Sequence, residues 1–232
     1  MMYNFYHIEE YKGYCLTIEQ DDNPEDPRQW DNVGVMVTNH PRYLLGDRRI
    51  GDKPRVPYLD TPSGFMHWLE AQSKLGQLLY LPLYLYDHSA LSMSTGSFIG
   101  HAQHAEWDSG LVGFIYVTRE KIQREFGWKL LTSKRKEFIL GIMREEVAVY
   151  SKYISGESCG WVTWTGNPET NPDADRIDSV WNYFDLDYAI QEAKATIDCY
   201  VEREKKHGLQ LILPGTEDYL VQEAQIIQEK LK

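Results

Sequence analysis

His101 and His104, three residues apart and followed by Glu106 and Asp108, form the most metal-like grouping in the 232-residue chain. Two imidazoles and nearby carboxylates chelate zinc or a related divalent ion when one helical turn brings them together. His101, His104 and Asp108 are the ligands such a site would use. Ser94 to Gly100, just before them, reads as a loop, which favours solvated histidines. A second grouping is Asp87-His88-Ser89, directly after a long apolar run. A carboxylate beside an imidazole orients the ring and tunes its basicity near neutral pH. The competing reading is an Asx turn followed by a histidine bonded to backbone groups. Asp31 and Asp108 join Asp87 if the strand ends that carry them converge, because clustered carboxylates share a proton or hold a cation. Asp87 or Asp108 would then hold the ion while His88 serves as acid or base in a metal-assisted hydrolysis. Asp31, Asp87, His88 and Asp108 are the candidate catalytic set, and a divalent metal is the one cofactor such a site needs. No other cofactor is indicated.

The familiar catalytic signatures are missing from the sequence: no phosphate-binding loop, no dinucleotide fingerprint, no H-E-x-x-H and no G-x-S-x-G. The acidic loop from Asp21 lacks the glycine and glutamate of a calcium-binding EF loop. Cys15, Cys159 and Cys199 are odd in number and far apart, which argues against a disulfide framework and a cysteine-type zinc site. Cys159, beside Gly160 and Trp161 with no basic neighbour, reads as a packed thiol.

The formal net charge is −11 and the pI about 5.1. Duplex-binding domains carry basic stripes, so this balance argues against direct nucleic-acid binding. The compact basic clusters, Lys134-Arg135-Lys136 and Lys205-Lys206-His207, fall at the ends of predicted helices, where solvated charge is expected. The longest apolar run, Leu78 to Tyr86, is broken by Pro82 and is too short for a membrane span. Met1 to Asp22 is polar and unlike a secretory signal. A cytoplasmic protein that does not engage membranes is expected.

Strand-like segments are Tyr14 to Ile18, Val33 to Val37, Leu79 to Tyr86 and Leu111 to Val117, with Pro82 marking an edge position or a bulge. Thr61 and Pro62 read as a helix N-cap and first turn, with the helix ending near Gly76. A short helix over Thr118 to Phe126 precedes a long one over Ser133 to Ile154, whose Ile139, Met143, Val147, Tyr150 and Ile154 form one stripe. Gly156 is its expected stop. Cys159 to Thr165 and Val180 to Phe184 read as paired strands, and Asp187 to His207 as a helix ended by Gly208. Beyond it, Leu209 to Leu213 reads as a strand, and Thr216 caps an amphipathic helix through Leu220, Ala224, Ile227 and Leu231. Trp30-Asp31-Asn32-Val33-Gly34 and Trp107-Asp108-Ser109-Gly110 each precede a strand. A shared turn device is expected there, with glycine at positive φ and the indole covering the strand end.

Strands then helices, without βαβ alternation, predict an α+β fold: a mostly antiparallel sheet with helices packed on it and a C-terminal helical appendage. A chain of this mass buries roughly 70% of its unfolded surface, enough for a core without disulfides or structural metal. No Ser/Gly linker divides it, so residues 1–208 read as one α+β domain and 209–232 as a strand and helix packed on it. The last helix offers a homodimer contact as the other use of its apolar face.

Several of these pieces together resemble a family of uncharacterised proteins encoded by bacteriophages, plasmids and other mobile elements. They are Trp30-Asp31-Asn32 with Gly34, His40-Pro41-Arg42-Tyr43, Leu45-Gly46-Asp47, Leu81 through Ser89, Trp107-Asp108-Ser109-Gly110 with Gly113, Ile115-Tyr116, and Glu145-Glu146-Val147 with Tyr150 and Tyr153. The likeness covers about residues 12 to 165 and the helix from Asp187. It implies a context and no reaction: an accessory protein of a mobile element, acting in the host cell through contact with a host or phage protein. Interference with host defence, as an anti-CRISPR protein does, is the specific form expected. The 30 Phe, Trp and Tyr residues suit such contacts, and they equally suit a core.

Overall fold

The computed structural model describes residues 5–51 and 61–210, with side chains to residue 206. It shows the α+β class: two sheets, antiparallel except for one short parallel pair, with helices packed on them. Contacts gather the chain into two compact units, one from Asp22 to Ser158 and one from the segments on either side.

The central unit is built on a five-stranded sheet of order β4-β3-β7-β5-β6. Its strands are β3 (Val35–Thr38), β4 (Arg48–Arg49), β5 (Leu78–Asp87), β6 (Leu91–Ser94) and β7 (Ser109–Thr118). Side chains alternate across a strand, and both faces are used. Met36, Leu83, Leu85, Ile115 and Val117 pack on α4 (Ser133–Ser155), against Ile139, Met143, Val147 and Tyr150. Val37, Phe114 and Tyr116 point the other way, against Phe65 and Leu69 of α1 (Pro62–Lys74). Burial on two faces explains why Leu78 to Tyr86 is apolar without alternation.

Local chemistry sets the boundaries. Thr61 accepts a hydrogen bond from Gly64 N at 3.2 Å and Pro62 opens α1, as expected. Thr118 caps α3 (Arg119–Phe126) and Thr132 caps α4, which stops at Gly156 with φ +78°. β6 pairs only with Tyr84 to Asp87, so Pro82 sits where β5 has one neighbour, just before a bulge at Leu83/Tyr84. There its missing N–H breaks no second ladder. Gly113 is required where β7 meets β3: a Cβ there would lie 2.1 Å from Val37 O.

The other unit is a four-stranded sheet, β1-β2-β8-β9, from Phe5–Tyr11, Tyr14–Gln20, Cys159–Trp164 and Arg176–Tyr183. Leu16, Ile18, Cys159 and Trp161 of this sheet pack on Ala189, Ala193 and Ile197 of α5 (Leu186–Gln210). The expected pairing of the last two strands holds, and Cys159 is a core thiol.

Several expectations need correction. β1, β4 and β6 form strands the sequence did not suggest, since each is short or polar. Gly208 does not end α5, which runs on to Gln210, so Leu209 is helical and not the start of a strand. The remaining expectations for Leu211 to Lys232, including the last amphipathic helix, lie outside the described residues. Among the described residues, no helix is long and apolar enough to cross a membrane.

Candidate functional site

The register of the central sheet decides which candidates meet. Tyr86 of β5 pairs with Ser109 of β7, so Asp87 and His88 leave β5 beside the segment that feeds β7. That segment is α2 (Ala105–Asp108), a single helical turn. His88 Nδ1 lies 2.8 Å from Asp108 Oδ2, with the ring half exposed. The proton on Nδ1 is assigned from this bond, and in the neutral ring Nε2 is then an acceptor. Asp87 does not turn back on its backbone; it pairs with Arg42. Arg42 arrives because β3 ends at Thr38, opposite Gly113, and Asn39 N bonds Val112 O at 2.7 Å.

Arg42, Asp87 and Asp108 line a cleft of about 280 Å³ with His40, Trp107, Ser109 and Gly110. His40 Nδ1 accepts the Arg42 and Tyr43 backbone N–H groups at 3.3 and 3.2 Å, and its ring stacks on Tyr43. Burial and the neighbouring Arg42 lower the His40 pKa below the usual imidazole value, against the pull of Asp87. Because Nδ1 accepts both of these backbone bonds, the neutral ring carries its proton on Nε2. The Ser109 hydroxyl donates to Ala105 O at 2.6 Å, so it is occupied within its own turn.

Asp31 is elsewhere. It precedes β3 on the side where Val35 faces Tyr116, seven β7 residues from Ser109, a span of roughly 24 Å. His88 and Asp108 meet, and Asp87 lines the same cleft as Asp108; Asp31 does not join them. His101 and His104 stand in the turns before α2, both exposed. His104 adopts the left-handed conformation, φ +55°, and its ring lies 5.9 Å from that of His88. Among the described residues, no three His, Cys, Asp or Glu side chains are grouped to hold a metal ion. His101, His104 and Asp108 thus remain apart as a ligand set. The carboxylate of Asp87 is already opposite a guanidinium.

The two Trp-Asp segments also differ from expectation. Neither Gly34 nor Gly110 has positive φ, and Trp107 covers nothing, being 87% exposed. Of the Asp and Asn side chains in the two segments, Asn32 plays the turn role, its Nδ2 donating to Pro27 O and Trp30 O at 2.8 and 3.0 Å. Here Asp108 bonds His88 instead, and Trp107 beside it stands in solvent.

Sequence reasoning missed a second ionic centre. Arg28, in a 3-10 turn at Pro27–Gln29, has a side chain only 2% exposed. It meets both oxygens of Asp47 at 2.9 Å, Glu146 at 3.3 Å and Gly34 O at 2.8 Å. Glu146 accepts the backbone N–H groups of Val33 and Gly34, at 2.5 and 3.0 Å, and Asp47 that of Met36 at 2.7 Å. Every charge is spent on a partner or on backbone, the pattern of an architectural network. Beside it, along α4, runs a larger and mainly apolar groove of about 540 Å³ between Trp30 and Phe138, Gly141 and Ile142. No family model, curated protein or solved structure matches the chain.

Proposed function

We propose that the protein works by binding another protein at the rim of the strand-end cleft, with Trp107 as anchor and Arg42 beside it. The observation that carries this is the exposure of Trp107, 87%, on a turn held in place by the His88–Asp108 pair. An indole kept in water by a fixed scaffold is the residue type that dominates binding hot spots, where truncation costs about 2–4 kcal/mol. Arg42 is the other favoured type, and it lies in the same cleft. The resemblance to proteins of phages and mobile elements makes a component of a bacterial defence system the partner class to test. Wild type and Trp107→Ala are immobilised and exposed to bacterial lysate, and a stoichiometric partner is then purified and titrated by calorimetry. A loss of about 30-fold or more in affinity on Trp107→Ala is expected. No stoichiometric partner, or one that binds the variant equally, overturns the reading.

A second reading, metal-assisted hydrolysis, is favoured by one observation: the His88–Asp108 pair at 2.8 Å beside Asp87. In it Asp87 or Asp108 holds the ion and His88, oriented through Nδ1, exchanges a proton at Nε2. Stoichiometric metal in protein purified without chelators, with a melting temperature lowered by EDTA, supports it. Sub-stoichiometric metal and an unchanged melting temperature remove it.

A further inference from the structure

We propose that the surface formed by α3, residues 127–132 and the first turns of α4 binds single-stranded nucleic acid. The overall acidity of the chain argues against this only if charge is evenly spread, and it is not. Residues 119–136 hold seven of the 24 basic residues and two acidic ones. The fold then draws these cations around an aromatic group. Phe126 stacks on Trp128 at 4.9 Å, and Phe138 stands edge-on to both at 6.2 and 5.9 Å. Arg135 lies over the Trp128 ring at 4.9 Å. Phe138 as a residue is 55% exposed.

The cations here are largely uncompensated. Arg119 and Arg135 donate to the carbonyls of Lys129 and Leu130, at 3.0 and 2.9 Å, which fixes them without neutralising them. Lys121 is tied to Asn32 O. The nearby acids Glu125 and Glu137 pair with Arg124 and Arg144, and Glu120 is exposed in the first turn of α3. Among the described residues, Lys129, Lys134 and Lys136 have no acidic partner within bonding distance, and all three are exposed. Like charges gathered in this way repel, and α4 has no acid in its first turn to relieve them. A chain of phosphates supplies that relief, and an exposed ring among lysines offers a stacking surface for unpaired bases. A paired duplex hides its base faces, so the single strand is the form this surface fits. The surface is separate from Trp107 and does not rest on the reading of the cleft.

The test is fluorescence anisotropy of a labelled 20-nucleotide oligo-dT with the full chain. Binding is expected at 50 mM salt, weakening about 20-fold by 200 mM if three phosphates are neutralised. Lys134→Glu with Lys136→Glu is expected to reduce affinity at least tenfold, and Phe138→Ala about tenfold. The lysine pair is exposed, and acids suit the start of a helix, so that variant stays folded and keeps the test valid. Trp107→Ala is expected to bind oligo-dT as wild type does. The proposal is overturned by absence of oligo-dT binding at 50 mM salt, or by binding that the lysine variant leaves unchanged. It is equally overturned if anionic phosphatidylglycerol vesicles capture the protein and oligo-dT does not compete.

Discussion

The guanidinium of Arg28 lies against the carboxylate of Asp47, with Nε 2.9 Å from Oδ1 and Nη2 2.9 Å from Oδ2. Two parallel bonds of this kind fix orientation as well as distance, and a lysine cannot reproduce them. Removing the cation leaves Asp47 and Glu146 facing each other in a site with little water. Arg28→Ala is expected to cost about 3–5 kcal/mol, and Arg28→Lys to recover only part of it. Urea denaturation checks this, and a loss below about 1 kcal/mol would show that the network is not what holds the 3-10 turn to α4.

The His88–Asp108 pair gives the opposite expectation. Its side chains are 43% and 31% exposed, so solvent screens the attraction. Asp108→Ala is expected to change stability by less than about 1 kcal/mol. Its effect is on position: α2 loses its tether and Trp107 gains freedom. With 5-fluorotryptophan incorporated and the Trp107 resonance assigned through Trp107→Phe, the fluorine line of Trp107 is expected to shift and narrow in Asp108→Ala. An unchanged line would mean that α2 is held by its backbone alone.

Two glycines of the central unit separate space from conformation. At Gly113 an added Cβ would meet backbone, 2.1 Å from Val37 O and 2.7 Å from Thr38 Cα, so strands β3 and β7 must part. Gly113→Ala is expected to lose about 3 kcal/mol or more. Gly141 lies inside α4 with nothing within 4 Å of that position. Gly141→Ala is expected to gain about 0.5–1 kcal/mol, because alanine loses less backbone freedom in a helix. Thermal melts of the two variants should move in opposite directions.

What the sequence made legible is what depends on neighbours along the chain. Of the predicted stripe, Ile139, Met143, Val147 and Tyr150 are buried as its spacing predicts, at 0–4% exposure, and Ile154 at its end is half-buried against the same core. Thr61, Pro62, Pro82 and Gly156 each act where their backbone chemistry says they should. The α+β class followed from the order of such elements. The ionic centre was hidden because Arg28 meets partners 19 and 118 residues away, and nothing local distinguishes it from a solvated loop arginine. The candidate site was half legible for the same reason. Asp87 and His88 could be placed at a strand end, but only the β5–β7 register sets Asp108 beside His88 and sends Asp31 to the far end. The second sheet was missed because β2 pairs with β8, where Cys15 faces Trp164 across most of the chain.

His40 gives the cleft a pH dependence whose sign is fixed by its surroundings. Burial and Arg42 lower its pKa in the folded protein, whereas in the unfolded chain it titrates near the ordinary value of about 6.5. Below that pH the unfolded chain binds a proton that the folded protein resists, so the unfolded state is favoured. The contribution of His40 to stability is therefore full above about pH 6.5 and is lost as the pH falls towards its folded pKa. His40→Asn places an amide oxygen near Nδ1, able to accept from the Arg42 and Tyr43 N–H groups, and removes the titration. Urea midpoints at pH 7.5 and 5.5 are expected to differ less for His40→Asn than for wild type. If the two proteins lose stability equally over that range, the acid sensitivity belongs to other groups, and the ring of His40 accepts its proton as freely folded as unfolded.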